Sequence, residues 1–483
     1  MNLKKNEIYE TTVTGMTTEG SGVGRVNDTA VFISNSAIGD VLKTRIIKTS
    51  KNYAIGRTEE IIIPSPDRVN PDCKYFVQCG GCTYRHISYD AELQIKYQRV
   101  EDAVTRIGGF RNLKINPIVS CENRCFYRNK AQLPFGKDNH SNTIMGFYAY
   151  HSHRIIDSDC CLLQPPVFSE ISRIVRDWAV RNNVSVYDEI LHRGLLRHLY
   201  IRIAEVTGEF MVCLVINGKS VPYKNELIDR LKYVNGFKSL QLNVNTQKTN
   251  VILGKECIKL YGSDYITDIL CGLKFNISPL SFYQVNRTQA EKLYSIAENY
   301  AKLSNDDILL DLYCGTGTIG LSMAKKVKKL IGVEIIPQAI ENAKKNAALN
   351  GIDNAEFICA DAAKATVKLE KQGIKPDVVI LDPPRKGCDK SLIETVVKMT
   401  PDKVVYVSCD SATMARDISI FNELGYKPTE ITPVDMFPAT PHVETVVLMS
   451  RPLTEHEQYG EYFMNRSVSD IMSEYSEQHD EWH

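Results

Sequence analysis

The stretch VVYVSCDSATMARD, residues 404–417, sets Cys409 where an apolar strand gives way to a polar, helix-forming segment. A thiol there has two uses. It can fill space, since free cysteine is among the most buried residue types. Alternatively, as a thiolate at the open end of a strand, it can attack a substrate held in a cleft. A second set of thiols lies far upstream. Cys73, Cys79 and Cys82 are spaced CX5CX2C in a turn-rich segment, where Gly80 and Gly81 let the backbone fold around a bound centre. The stretch IIDSDCCLLQPP offers Cys160 and Cys161 as a fourth ligand. A zinc ribbon carries two CX2C pairs, and only Cys79 and Cys82 form one here. The spacing therefore points to a cubane iron–sulfur cluster, whose ligand spacings vary more. Four unrelated thiols are the bland alternative.

A third constellation is a glycine turn. In DILLDLYCGTGTIGLSMAKKV a buried strand runs into Gly315-Thr316-Gly317 and then a helix, with Gly320 completing GxGxxG. Such a turn offers backbone amides at a helix N-terminus. Glu334 ends the next strand, 17 residues after Gly317, where a carboxylate can grip two ribose hydroxyls. The later LDPPRKG has no use in hydride transfer. An acid followed by a rigid proline turn is a methyltransferase feature.

These groups need elements to hold them. Residues 1–60 alternate apolar and polar at period two between glycine-rich turns, which predicts a small antiparallel barrel. Lys43, Arg45, Lys48 and Lys51, with Tyr53 nearby, give it a basic face suited to an oligonucleotide or simply to water. Residues 61–262 hold the cysteines and further strands, with Arg193, Arg197, His198 and Arg202 facing RNA or solvent. Residues 263–452 alternate strand and helix, the pattern of a parallel doubly wound sheet. Residues 453–483 carry eight acids and one base and are expected to be disordered. The net charge of zero hides this asymmetry: outside the tail, 57 Lys and Arg stand against 50 Asp and Glu. A mildly basic body suits a nucleic-acid partner. MNLKKNEIYETTVTG has no apolar run after its lysines, and no stretch reaches the length of a membrane span. A cytoplasmic protein with no membrane partner is expected, its 14 cysteines reduced, metal-bound or catalytic.

DLYCGTGTIGL, GVEIIPQAIENAKKNAALNG and LDPPRKG resemble class I S-adenosylmethionine-dependent methyltransferases. With FYQVN, YVSCDSATMARD and DMFPATPHVETVVLM added, the chain resembles the RNA (uracil-5-)-methyltransferases. The barrel resembles a TRAM domain, and the cysteine set resembles the cluster ligands of the 23S ribosomal RNA branch. The resemblance implies an α/β protein: a class I (Rossmann-like) methyltransferase domain with an N-terminal OB-like β-barrel and a mixed central domain. It implies methylation of carbon 5 of a specific uridine in 23S ribosomal RNA; a monomer is expected, apart from the resemblance. Cys409 is then the nucleophile and Glu444 of PHVET the base, with His442 its competitor. The cofactor residues carried over are Gln284, Tyr313, Thr318, Glu334 on the ribose, Asp361 near the adenine amine, and Asp382 between cofactor and flipped base. In this family the fourth ligand of the 4Fe-4S cluster follows an Asp by four positions, so Asp157 selects Cys161 beside Cys73, Cys79 and Cys82. Two departures stand out, since many relatives have Asn at the positions of Thr318 and Asp410.

Two other readings compete. An amino-group methyltransferase stacks an aromatic ring on its base after the prolines, but here Arg385 stands there and Cys409 would have no task. A non-catalytic RNA-binding or assembly factor would not need intact cofactor and nucleophile motifs.

Overall fold

The computed structural model describes residues 3–452, so the acidic tail lies outside the described residues. Five strands, β1 (Ile8–Met16), β2 (Gly22–Val26), β3 (Thr29–Ser34), β4 (Val41–Thr49) and β5 (Tyr53–Ile63), close into a barrel in the order β1-β2-β3-β5-β4. The period-two pattern turns Val13, Val31, Ile33, Leu42, Ile46 and Ala54 inward. The pairing is antiparallel except between β3 and β5, which run parallel, so the barrel departs there from the all-antiparallel expectation. The basic face is partly neutralised: Lys43 pairs with Glu60 at 2.7 Å and Arg45 with Glu59 at 2.8 Å.

The chain then runs without helix or strand to α1 (Tyr89–Arg106) and β6 (Lys114–Ile115). A seven-stranded mixed sheet follows. It contains β7 (Lys130–Lys137), β8 (Thr143–Tyr148), β9 (Ile155–Asp157), β10 (Leu196–Ile203), β11 (Phe210–Ile216), β12 (Phe237–Val244) and β13 (Glu256–Gly262). The helices α2 (Pro166–Arg181) and α3 (Lys224–Leu231) cover one face, and Trp178 and Phe168 fill the core between. Arg197 and Arg202, which the sequence left facing either RNA or water, are buried. Arg197 donates to the carbonyls of Asn245, Gln247 and Thr249, and Arg202 to that of Ser281. Their charge is used inside the fold, where a buried donor must find an acceptor.

After a hairpin, β14 (Ile266–Leu270) and β15 (Leu273–Ile277), comes the strand–helix alternation. Its elements are α4 (Arg287–Ala301), β16 (Ile308–Leu312), α5 (Thr318–Met323), β17 (Lys329–Glu334), α6 (Pro337–Leu349), β18 (Ala355–Cys359) and α7 (Ala362–Lys371). They continue as β19 (Val378–Leu381), α8 (Lys390–Lys398), β20 (Lys403–Ser408), α9 (Ser411–Glu423), β21 (Lys427–Val434) and β22 (Glu444–Ser450). The sheet order is β18-β17-β16-β19-β20-β22-β21-β6. Strands β16 to β20 are parallel, and β16, β17, β19 and β20 are built mainly of buried apolar residues, as strands covered on both faces must be. Two apolar cores sit on the two faces. Among the described residues no helix is long and apolar enough to cross a membrane.

The segment 89–115, read from sequence with the central region, joins the C-terminal sheet. Strand β6 pairs with β21, and α1 sends Val100 and Val104 into one of that sheet's cores. Ser88 caps α1, its hydroxyl accepting the Ala91 amide at 3.3 Å. The buried stripe of α1 also carries Glu92 and Lys96. Lys96 is 1% exposed and donates to Glu92 and Asp435, both at 2.6 Å, and to the Phe437 carbonyl at 3.2 Å. Removing one partner of such a buried cluster strands the others without water. Lys96→Ala should therefore lower the unfolding free energy by about 3–5 kcal/mol, read from urea denaturation followed by circular dichroism. A loss within experimental error would mean that the two carboxylates do not depend on it.

Candidate active site

In a doubly wound sheet, ligands bind outside the carboxyl ends of the strands where the order reverses. Here the reversal lies between β16 and β19, with β17 and β18 on one side and β20 on the other. Tyr313 follows β16, Glu334 ends β17, Asp382 follows β19 and Cys409 follows β20. All four reach one rim. Strand β22 runs the other way, so it begins at that rim. Ser408 is in register with Thr445, whose hydroxyl donates to the Ser408 carbonyl at 3.3 Å. Continued by one step, that register brings Cys409 opposite Glu444, near enough for the carboxyl to act on the thiol. Beyond Cys409, Asp410 caps α9 by accepting the amides of Ala412 and Thr413 at 3.1 and 3.0 Å. Asp and Asn serve that capping role equally, so the departure at Asp410 leaves the local geometry intact.

Burial and crowded negative charge set the electrostatics. Glu444 is 7% exposed, and burial with the nearby Asp382 pushes its carboxyl up to about 8. Burial pushes the half-buried Asp382 up to about 7. Burial, Glu444 and Asp382 push the Cys409 thiol up to about 11. The Arg385 guanidinium acts against this on both Cys409 and Glu444. His442 is pushed down to about 4 by burial and by Arg385, so its imidazole stays neutral at physiological pH. It stands edge-on to Phe437 with ring centres 6.1 Å apart.

The glycine turn forms the other half of the rim. Gly317 has φ +82°, and a Cβ at Gly315 would meet no atom within 4 Å, so that part of the turn opens on free space. A Cβ at Gly320 would lie 2.7 Å from Asp311 Oδ2, which accepts the Gly320 amide at 2.9 Å. The third glycine thus lets α5 close onto β16. Glu334 accepts the amides of Gly315 at 3.2 Å and Ile336 at 2.9 Å, which ties its carboxylate to the turn. Thr318 is buried and its hydroxyl lies 3.0 Å from that of Tyr294, so it bonds into α4. Tyr313 is half-buried at φ +68°. Asp361 is exposed, caps α7 through the Lys364 amide at 3.2 Å, and follows Ala360, whose amide donates to the Glu334 carbonyl. Gln284 is half-buried, its carbonyl accepting the Asn129 side chain at 2.9 Å.

The structure therefore gathers Cys409, Glu444 and Asp382 at one pole, and Glu334, Tyr313 and Asp361 around the turn at the other. Two charged groups of the rim were not read from sequence as site residues. Asp311 is buried, one oxygen without a partner, and burial pushes it up to about 8. Arg385 supplies the cation beside the thiol. Both lie inside motifs already quoted, DLYCGTG and LDPPRKG, and an acid or a cation within such a motif was the available signal.

The upstream cysteines meet at a cavity of about 90 Å³ lined by Cys73, Cys79, Cys82, Cys160 and Cys161, with Arg85 and Arg128. The Gly81 amide donates to Cys79 Sγ and the Arg85 guanidinium to Cys82 Sγ, each at 3.4 Å. Cys161 is half-buried, its thiol pushed up to about 12 by burial, and Cys160 is exposed. Among the described residues no three His, Cys, Asp or Glu side chains converge as a single ion requires.

The fold and rim define a class I S-adenosylmethionine-dependent methyltransferase. The family described as tRNA (uracil-5-)-methyltransferase matches residues 223–452, and the TRAM domain matches residues 3–58. An RNA methyltransferase of Clostridium tetani is 47% identical over 449 residues, covering 93% of this chain and 97% of that protein. One from Staphylococcus epidermidis is 44% identical over 450 residues, covering 93% and 98%. The crystal structure of Pyrococcus abyssi tRNA (uracil-54, C5)-methyltransferase in complex with S-adenosyl-L-homocysteine is similar at a TM-score of 0.74 and 28% identity. It covers 91% of this chain and 100% of that one. The chain belongs to the RNA (uracil-5-)-methyltransferase family and carries a TRAM domain.

Asp311 gives this site a pH signature. Its carboxyl rises from an ordinary 3.8 to about 8 on folding, so between those values the folded chain holds a proton that the unfolded chain has lost. The stability this group contributes is complete below about pH 4 and drains away as pH rises to about 8. Asp311→Asn should therefore flatten the fall of the urea midpoint across that window, and an unchanged slope would place the titration elsewhere.

Proposed function

We propose that the protein transfers a methyl group from S-adenosylmethionine to carbon 5 of a specific uridine in 23S ribosomal RNA, through a covalent bond between Cys409 and carbon 6 of the base. The observation that carries this reading is Cys409 facing Glu444 across the β20/β22 ladder, with Asp382 beside them. Carbon 5 of uracil is a poor nucleophile. When the Cys409 thiolate adds to carbon 6, the ring electrons form an enolate and carbon 5 becomes a carbanion equivalent. Carbon 5 bonds to the methyl that S-adenosylmethionine supplies as its S–CH3 bond breaks, leaving neutral S-adenosylhomocysteine, and the sulfonium charge favours ionised neighbours until then. Glu444, once ionised, then takes the proton from carbon 5, the ring double bond reforms and the Cys409 sulfur departs. Arg385 favours the thiolate. His442, held neutral and edge-on to Phe437, is a weaker candidate for the base than the carboxyl that acts on the thiol.

Glu334, Tyr313, Thr318, Gln284, Asp361 and Asp382 are the residues assigned to the cofactor. The open side of the turn at Gly315 supports that assignment, as do the exposed Phe282, Ile335 and Ile336 flanking Gln284 and Glu334. These offer apolar surface to an adenine ring. Thr318 contributes through Tyr294, from the packed side of the turn. The target base has to be flipped out of its stack to reach the rim. The barrel and central sheet are assigned to gripping the RNA, and the protein to acting as a cytoplasmic monomer. The similarity to the Pyrococcus abyssi protein over nearly the whole chain supports one alternative substrate, a transfer RNA.

The reading includes a 4Fe-4S cluster on Cys73, Cys79, Cys82 and Cys161. A single zinc needs its ligands converging at about 2.3 Å on one point, whereas a cubane is held by four separate thiolates. Thiols spread round a cavity, with two N–H donors on sulfur and two arginines to offset the charge, suit the second. Exposed Cys160 is the spare thiol. The cluster has no step in the methyl transfer.

A 23S ribosomal RNA fragment carrying 5-fluorouridine should freeze with protein and S-adenosylmethionine as a denaturation-resistant adduct, because fluorine cannot leave as a cation. Peptide mapping should find it on Cys409. Transfer RNA bearing the same base, tested in parallel, decides the substrate: trapping only there moves the target, and no trapping on either removes the thiolate mechanism. With ordinary uridine, Glu444→Gln should accumulate methylated RNA still bound to Cys409. In the unsubstituted protein the release step should quicken as pH rises to about 8, where Glu444 ionises. Normal turnover by the variant would exclude Glu444 as the base.

A further inference from the structure

Glu444 emerges from the loop 435–443, and the elements that grip this loop come largely from the N-terminal half of the chain. Ala439 sits at φ +66°, a conformation that residues with a side chain adopt only when their surroundings impose it. Its carbonyl accepts two amides, those of Thr83 at 2.8 Å and Tyr84 at 3.1 Å, and its own amide donates to Glu92 at 2.8 Å. Thr83 and Tyr84 directly follow Cys82. On the same side, Cys82 and Cys161 pack with Tyr127, Leu163, Phe437 and Ala439 in one apolar cluster, and the Tyr127 hydroxyl donates to the Pro438 carbonyl at 3.0 Å. Between Ala439 and Glu444 the loop has little slack. Thr440 donates to the Phe437 carbonyl at 2.7 Å, and Arg99 holds that of Pro441 at 2.8 Å.

The gripping segment has little order of its own. No helix or strand lies between Ile63 and Tyr89, and two isolated bridges, Arg68 to Ile87 and Cys79 to Ala149, are its sheet-like contacts. Tyr84 and Ile87 anchor its end by packing with Ala37, and the turns at 73–82 are tightened by whatever the cysteines hold.

We infer that the cysteine centre is a positioning device for the catalytic base: by ordering residues 73–85 it sets the Thr83 and Tyr84 amides that clamp Ala439, and through the loop sets Glu444 against Cys409. This rests on the cluster reading proposed above and gives the cluster a task outside the chemistry. Thr83 and Tyr84 are positioning residues, acting through the loop. A general base has to stand within hydrogen-bond reach of its proton, so loosening the clamp should slow proton removal more than methyl transfer. Cofactor binding, carried mainly by Glu334, Tyr313 and Asp361 at the other pole of the rim, should change little.

The experiment uses the full chain purified without oxygen, the same protein stripped of metal, and a Thr83→Pro variant that lacks one clamping amide and keeps every cysteine. Iron and sulfide analysis of the purified protein judges the cluster reading by itself. Amide hydrogen exchange over 436–443, S-adenosylhomocysteine affinity, and the fraction of methylated RNA still bound to Cys409 judge the clamp. Stripped protein and Thr83→Pro should both exchange roughly fivefold faster at 436–443, the factor one lost hydrogen bond makes. Both should accumulate adduct and keep their S-adenosylhomocysteine affinity. If 436–443 stays protected in both while 73–85 loosens, the inference is overturned. A protein without iron overturns the cluster's part in this inference; should stripping merely unfold the chain, Thr83→Pro decides, and protection and adduct fraction like those of the unsubstituted chain reject the clamp.

Discussion

Parallel strands deliver only their carboxyl ends to the rim of a doubly wound sheet. A strand inserted the other way delivers its beginning to the same place. Strand β22 lies antiparallel between β20 and β21, and through it Glu444 arrives opposite Cys409. The register is not free to drift. Side chains alternate faces along a strand, so a slip of one residue would turn Glu444 to the other side. Thr445, Val446 and Val447 are fully buried next to it, and each would be misplaced by the same slip.

The rim carries more negative groups than it can ionise at once. Asp311, Asp382 and Glu444 are all pushed toward their protonated forms, chiefly by burial. The thiol is pushed the same way, and Arg385 stands among them as the opposing cation. Desolvated carboxyls are costly as anions and tolerable as acids, so the resting site holds its protons. In the proposed reaction a positive sulfonium enters this environment, which suits a donor of that charge better than a neutral one.

The three regions of the chain are less separate than their composition implies. Helix α1 crosses from the cysteine segment onto the C-terminal sheet and binds Asp435 through buried Lys96. Arg99, one turn on, donates to Thr18 of the barrel and to Pro441 of the base-bearing loop. A loop gripped by helix and cysteine segment, and linked to the barrel through Arg99, cannot shift without disturbing all three.

Much of this was legible from sequence, because local spacing carries it. The period-two strands of the barrel, the strand–turn–helix at Gly315-Thr316-Gly317, the acid ending β17 and the thiol following β20 are all properties of short windows, where backbone geometry dictates the pattern. Glu92 and Lys96 show the limit. At four residues apart on a helix they read as an ordinary solvated pair, yet both are buried because a carboxylate 339 residues away from the lysine completes the cluster. Arg197 and Arg202 likewise look like surface cations and instead satisfy buried carbonyls. The parallel step between β3 and β5, the attachment of β6 to β21 and the meeting of Cys409 with Glu444 are also decisions of the tertiary structure. Each depends on which distant surfaces bury one another, and that collective burial is not written in the spacing of any single segment.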